Sequence, residues 1–372
     1  MTPPPVLPLS ITGLGVVSPV GVGISSLARA LEKGYDDYQA PVTADGEYPP
    51  MVLWAVDDGP IVEHLGRKGL REVDRMSRIA LVACKLAVEQ AGGLPEENQA
   101  TVGVAMATAG GSLRSLSEVG RDTVTNEKPY MVNPRLFPNV VMNSCAGQIA
   151  IRNGMRGVNA TTSAGQVSSL AAFRYARIAL AEERVTGILA GGVEELSPIG
   201  TWGWHRSGAL AEGTPAGEGS AMFMLEHPDV ASEAGRASRG ELLGCEIGYA
   251  GPANGGNIDA ARGIAGLAAV IARALSRSGV AADDLDLIAA GGLGQPAVEE
   301  IEEKAIAQAV SRPVERMDVT SVIGQCYSAS AALQTAAVLA YFEGRTNWTA
   351  LVTSVGEEGT VGALVLRGAG AE

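Results

Sequence analysis

Apolar positions along this chain recur in two rhythms, and the rhythms predict its elements. Alternating or continuous apolar runs at residues 9–17, 102–108, 158–163 and 186–190 predict strands, the last ending in Gly191-Gly192. Spacing of three to four over 74–91 and 167–182 predicts amphipathic helices, with a further helix and loop filling the stretch to Gly157. The order then begins again with strand 240–249, helix 260–277, strand 285–290 and helix 297–309. It closes with strand 317–322, helix 328–342 and a strand pair near 350–354 and 363–367. Strands alternating with helices pack as a mostly parallel, helix-covered sheet, so the expected class is α/β. Two pseudo-repeated halves are expected, 1–238 and 239–372.

One detail ties the halves together. Ala164-Gly165-Gln166-Val167-Ser168-Ser169 in the first half is matched by Ile323-Gly324-Gln325-Cys326-Tyr327-Ser328 in the second, each between a predicted strand and a predicted helix. The start of such a helix is where an α/β enzyme holds a nucleophile, because backbone amides and the helix dipole stabilise negative charge there. Both turns carry a glutamine instead.

Composition narrows the partners. With 372 residues and 46% hydrophobic side chains the chain can bury a sizeable core. Against 48 Gly there are only four Phe, eight Tyr and four Trp, so its layers must meet through small side chains. The formal charge of −13, with no Lys/Arg cluster, argues against nucleic acid. No apolar run approaches the roughly 20 residues of a membrane span, and the Met-Thr-Pro-Pro-Pro start has no basic segment, so a cytoplasmic protein is expected. Cys84, Cys145, Cys245 and Cys326 are too scattered for a disulfide framework or a metal site. Gly13-Leu14-Gly15-Val16-Val17-Ser18 lacks the third glycine of a dinucleotide fingerprint, so no cofactor is expected.

Several segments in order carry a likeness to a known family. They are Ile11-Thr12-Gly13-Leu14-Gly15-Val16-Val17-Ser18-Pro19, Asp74-Arg75-Met76-Ser77-Arg78-Ile79-Ala80, Leu189-Ala190-Gly191-Gly192-Val193-Glu194-Glu195 and Glu218-Gly219-Ser220-Ala221. Along nearly its whole length the chain resembles a β-ketoacyl synthase of the thiolase-like fold. The resemblance implies a five-layered αβαβα core built from the two halves, a dimer, and decarboxylative condensation of carrier-protein thioesters. That chemistry uses a cysteine thiolate at a helix start, two histidines and a lysine. By position, the family's cysteine falls on Gln166, its histidines on Gly291 and Gln325, and its lysine on Thr320. The family's aromatic gating loop reads Gly356-Glu357-Glu358-Gly359-Thr360. All four catalytic positions are lost, which excludes condensation by this chain alone.

Two subgroups carry glutamine at the nucleophile position. One decarboxylates malonyl-carrier protein to make starter units but keeps both histidines. The other is the chain-length factor of type II polyketide synthases, a silent subunit paired with an active ketosynthase. The segment 147–157 and the run Trp202-Gly203-Trp204 with Ser207-Gly208 resemble the second, although a packed corner would also account for the tryptophans. The resemblance then implies a heterodimer docked through Asn159, Ala160, Thr161, Thr162 and Ser163, with carrier protein met through the complex. It implies an acyl tunnel walled by Ser112, Leu113, Leu116, Met131 and Val132, though core packing would equally explain the leucines. A non-synthase scaffold on the same fold is a third reading. The short 213–219 region and the lost aromatic gate point to a branch making reduced polyenes. His64, His205 and His227 lie outside the pocket loops and read as surface or packing residues. Cys326, at a helix start, is a rival nucleophile without a neighbouring base in sequence.

Overall fold

The computed structural model describes residues 6–37, 46–66, 68–70, 72–251 and 256–370. The first five residues, part of the start read above as lacking a targeting segment, lie outside the described residues. The first half contains β1 (Leu9–Ser18), β2 (Gly21–Val22), α1 (Ile24–Lys33), β3 (Leu53–Trp54), α2 (Asp58–Leu65), α3 (Arg75–Gln90), β4 (Val102–Ala107) and α4 (Leu113–Thr125). It continues with α5 (Ser144–Asn153), β5 (Asn159–Thr162), α6 (Ser168–Ala181), β6 (Gly187–Glu194), α7 (Pro198–Ser207), β7 (Ala216–Gly217), β8 (Gly219–Glu226) and α8 (Pro228–Glu233). The second half contains β9 (Glu241–Tyr249), α9 (Ala260–Ser278), β10 (Leu287–Ala289), α10 (Pro296–Ala309), β11 (Glu315–Met317) and α11 (Thr320–Ile323). It ends with α12 (Ser330–Tyr341), β12 (Thr349–Val355) and β13 (Thr360–Arg367).

Duplication is written into the sheet order. One half runs β1-β8-β6-β4-β5 and the other β9-β13-β12-β10-β11. Counting these five strands along the chain within each half, both orders read first, fifth, fourth, second, third. The two halves of the sheet meet where Leu9 pairs with Leu242 and Ser10 with Glu241. Helices α3 and α5 cover the outer face of the first half, and α9 and α10 that of the second. Between the halves lie α6 and α12, whose apolar faces share one core with both, including Phe173 edge-on to Phe223 at 5.4 Å. The result is the five-layered αβαβα arrangement of the thiolase-like fold.

Scarcity of aromatics is matched by close layers. A Cβ at Gly13 would stand 2.0 Å from the Ala87 carbonyl oxygen, and one at Gly15 1.8 Å from that of Ala83, so β1 and α3 touch backbone to backbone. Only glycine permits that approach.

The sheet is mixed and not mostly parallel as expected: β8 pairs antiparallel with β1 and β6, β9 with β1 and β13, and β13 with β12, while among the described residues only β4 with β5 and β6, and β10 with β11 and β12, run parallel in the main sheet. The apolar run at 317–322 is not a strand: β11 ends at Met317, Asp318 accepts from the Ser321 amide at 2.9 Å, and the chain turns into α11. An aspartate placed to cap a turn outweighs the β-branched, partly apolar run of Val319, Thr320 and Val322. Elsewhere β6 runs on through Gly191 and Gly192 to Glu194, and α12 begins only after a 3-10 turn at Tyr327–Ala329. The tryptophans lie on α7, not at a corner. Among the described residues no helix is long and apolar enough to cross a membrane.

Candidate functional site

A cavity of about 320 Å³ opens where the duplicated Gly-Gln turns meet. Gln166 and Gln325, 159 positions apart in sequence, touch side chain to side chain: Gln166 Nε2 donates to Gln325 Oε1 at 3.1 Å. The Gly291 carbonyl accepts at 3.3 Å from each of three side-chain amides, Gln166, Gln295 and Gln325. Gln325 Oε1 also accepts from the Tyr327 amide at 3.0 Å and from Ser330 Oγ at 2.5 Å. These partners fix the amide orientation, since a reversed Gln166 would aim its oxygen at two other acceptors. Three of the four positions read as lost catalytic residues thus form one neutral, hydrogen-bonded plug. Thr320 stands apart, half-buried at the start of α11.

The plug is also closed from behind. Gly291 and Gly292 donate their amides to Glu302 at 3.1 and 2.6 Å, holding the loop against α10. A Cβ at Gly291 would lie 2.8 Å from the Thr353 carbonyl oxygen of β12, so a side chain there meets backbone that cannot step aside.

The cavity's charge has one sign. Glu194, Glu195, Glu357 and Glu358 border it, and among its described lining residues there is no Lys, Arg or His. His64 and His227 are half-buried elsewhere, and His205 is exposed beside Trp202. Burial pushes the Glu194 carboxyl up to about 7, against the lowering effect of donors from Ser328, Ala109 and Thr108. Burial likewise pushes Glu195 up to about 7, reinforced by Asp74. Cys326 borders the cavity but is 1% exposed, and burial, with Glu218 and Glu194 nearby, drives its thiol far above the usual range. The short 3-10 turn after it offers no helix dipole to offset this. Cys326 is a packed thiol.

A cysteine introduced at Gln166 would be buried beside the same acidic cavity, although the longer α6 follows it. Gln166→Cys is expected to react with iodoacetamide at pH 7.5 no faster than a free cysteine thiol, as read by mass spectrometry. Labelling faster than a free thiol would mean that the turn still activates a nucleophile.

Of the residues expected to wall a tunnel, Leu113 borders the cavity, while Ser112 is buried behind it as the cap of α4. Leu116 and Met131 are exposed and Val132 is half-buried, all outside the cavity in the single chain. Asn159 through Thr162 form β5, the edge of the sheet, and Ser163 follows it exposed. Composition and spacing did not reveal Glu194, Glu195 or Tyr327. Trp204 borders the cavity edge-on to Tyr327 at 5.3 Å.

Comparison with known proteins agrees with this geometry. The β-ketoacyl synthase N-terminal domain matches residues 8–231, and its C-terminal domain residues 240–347. The actinorhodin polyketide putative beta-ketoacyl synthase 2 of Streptomyces coelicolor is 31% identical over 94% of this chain and 89% of its own. The tetracenomycin polyketide synthase ketoacyl synthase beta subunit of Streptomyces glaucescens is 29% identical over 89% of this chain and 85% of its own. Among solved structures, the ishigamide ketosynthase/chain length factor superposes with a TM-score of 0.83 at 29% identity, covering 98% of this chain and 100% of that one. The chain belongs to the β-ketoacyl synthase family.

Proposed function

We propose that this protein is the chain-length factor of a type II polyketide synthase: a silent subunit that pairs with a catalytic ketosynthase and shapes the tunnel holding the growing acyl chain. The observation that carries the reading is the plug formed by Gln166, Gln325 and Gly291 at the nucleophile turn. It holds neither a nucleophile nor a base, and the acidic cavity around it disfavours any thiolate. Chemistry must then come from another chain.

The surface supports a partner. Among the described residues, strand β5 is a sheet edge, and eight of the thirteen exposed large apolar side chains lie between residues 116 and 151, on α4, α5 and the segment joining them. An apolar face of this kind fits an obligate interface on the order of 2,000 Å² or more. In this reading the tunnel wall comprises Ser112, Leu113, Leu116, Met131 and Val132, with the exposed members covered by the partner. Carrier protein meets the complex on the ketosynthase, because this chain, at −13, would repel an acidic carrier. The decarboxylase alternative rests on Gln166, and both N–H bonds of Gln166 Nε2 are already engaged, by the Gly291 carbonyl and Gln325 Oε1.

Co-expression with candidate ketosynthase subunits tests the proposal. A stable one-to-one complex is expected, with elongation of malonyl-carrier protein only when both chains are present. A self-sufficient homodimer that binds none of them, or carbon dioxide release by this chain alone, would overturn it.

A further inference from the structure

We propose that Glu195 is a positioning residue: it sets where α4, and with it Leu113, stands, so that product length depends on it. This rests on the chain-length-factor reading above.

One buried carboxylate closes the starts of two helices. Glu195 Oε1 accepts from Ser112 Oγ at 3.0 Å and from the Arg114 amide of α4 at 3.2 Å, while Oε2 accepts from the Met76 amide of α3 at 3.1 Å. Each helix also has its own cap, Asp74 accepting from Ser77 at 2.9 Å and Ser112 from Ser115 at 3.3 Å. In both helices the local cap therefore takes the third amide and Glu195 takes the second. Amides at that position have no partner within their own helix, so the carboxylate satisfies both and complements two positive helix ends.

The two helices are not equally held otherwise. The approach of Gly13 and Gly15 to Ala87 and Ala83 seats α3 directly on β1. By contrast, α4 buries only Ser115 and Val119 of its thirteen residues. Packing leaves its direction weakly specified, and the tie at its first turn supplies what packing does not. Leu113, the next residue after the cap, borders the cavity and lies within 3.5 Å of where a Cβ on Gly200 of α7 would stand. A rotation of α4 about its tether moves Leu113 first.

The test uses the heterodimer and reads product-length distribution beside total turnover. In Glu195→Gln one acceptor remains and an amide group faces the second helix. In Glu195→Asp the side chain is too short to reach both helices. Each variant is expected to stay bound to the ketosynthase and keep turnover within about threefold, while the ratio of the two main product lengths shifts at least threefold. Hydrogen exchange at the Arg114 amide in the isolated variant chains should quicken about tenfold or more. Leu113→Trp is the companion variant. If it shifts the distribution while both Glu195 variants leave distribution and exchange unchanged, the positioning role is overturned and the chain-length reading stands. If no variant, Leu113→Trp included, alters product length, the reading beneath it falls as well.

Discussion

Replacing Thr161 by proline is expected to leave this chain folded and to abolish its pairing with a ketosynthase. The distinction rests on the parity of β5. Val158 and Thr162 offer their carbonyls to β4, accepting from Val104 at 2.8 Å and Thr108 at 3.1 Å. In a parallel ladder alternate residues bond to the same side, so the amides of Ala160 and Thr162 face β4 and that of Thr161 faces the free edge. Proline at Thr161 removes only an outward donor, which an edge strand tolerates. A partner strand docking there would lose that donor and meet the ring. Affinity should fall at least ~100-fold, equivalent to about 2.7 kcal/mol. Analytical ultracentrifugation of the mixed subunits reads it, and circular dichroism checks the fold. Ala160→Pro is the contrasting control, since it breaks the ladder to β4 and should unfold the edge itself. An intact complex with Thr161→Pro would place the partner elsewhere.

Periodicity and one duplicated turn reached the α/β class and the repeated order of elements, whereas the five-layered arrangement came with the family resemblance, and the mostly parallel sheet expected from the alternation is mixed. The contact between Gln166 and Gln325 was foreseeable from duplication, since equivalent turns of two halves related by a pseudo-twofold are brought face to face. The turn into α11 was not, because Met317, Val319 and Val322 read as a strand and conceal the cap that Asp318 makes. The acidic pair Glu194-Glu195 follows an apolar strand and carries no local mark of its burial. Its burial follows from the arrival of α3, α4 and Ser328 around it, which no local pattern encodes. Leu113 borders the cavity, whereas Met131 is exposed and Val132 half-buried away from it, and a place for them in a tunnel wall rests on the proposed pairing.

Those two glutamates make stability run against the usual direction with pH, and single substitutions should separate them. A carboxyl at about 7 in the folded chain against an ordinary value of 4.5 means that between these values the folded state holds a proton the unfolded state has released. Stability therefore falls as pH rises through that window, and the loss is complete above about 7. Each group should give up about 1 kcal/mol between pH 6 and pH 8, which urea titrations at the two values resolve. Glu194 accepts all three of its donors, Ala109 N, Thr108 Oγ1 and Ser328 Oγ, on Oε1, and among the described residues none reaches Oε2. Glu194→Gln keeps that oxygen as the acceptor and discards the buried charge. It should stabilise the chain by up to about 3 kcal/mol at pH 8, shrinking to about 2 kcal/mol at pH 6. Glu195 uses both oxygens, so Glu195→Gln sets an NH₂ against a helix amide, and the lost hydrogen bond offsets the gain from removing charge. It should be the less stable of the two variants at every pH from 6 to 8. Equal effects of the two substitutions would mean that burial alone, and not the donors each carboxylate serves, governs this acidic wall.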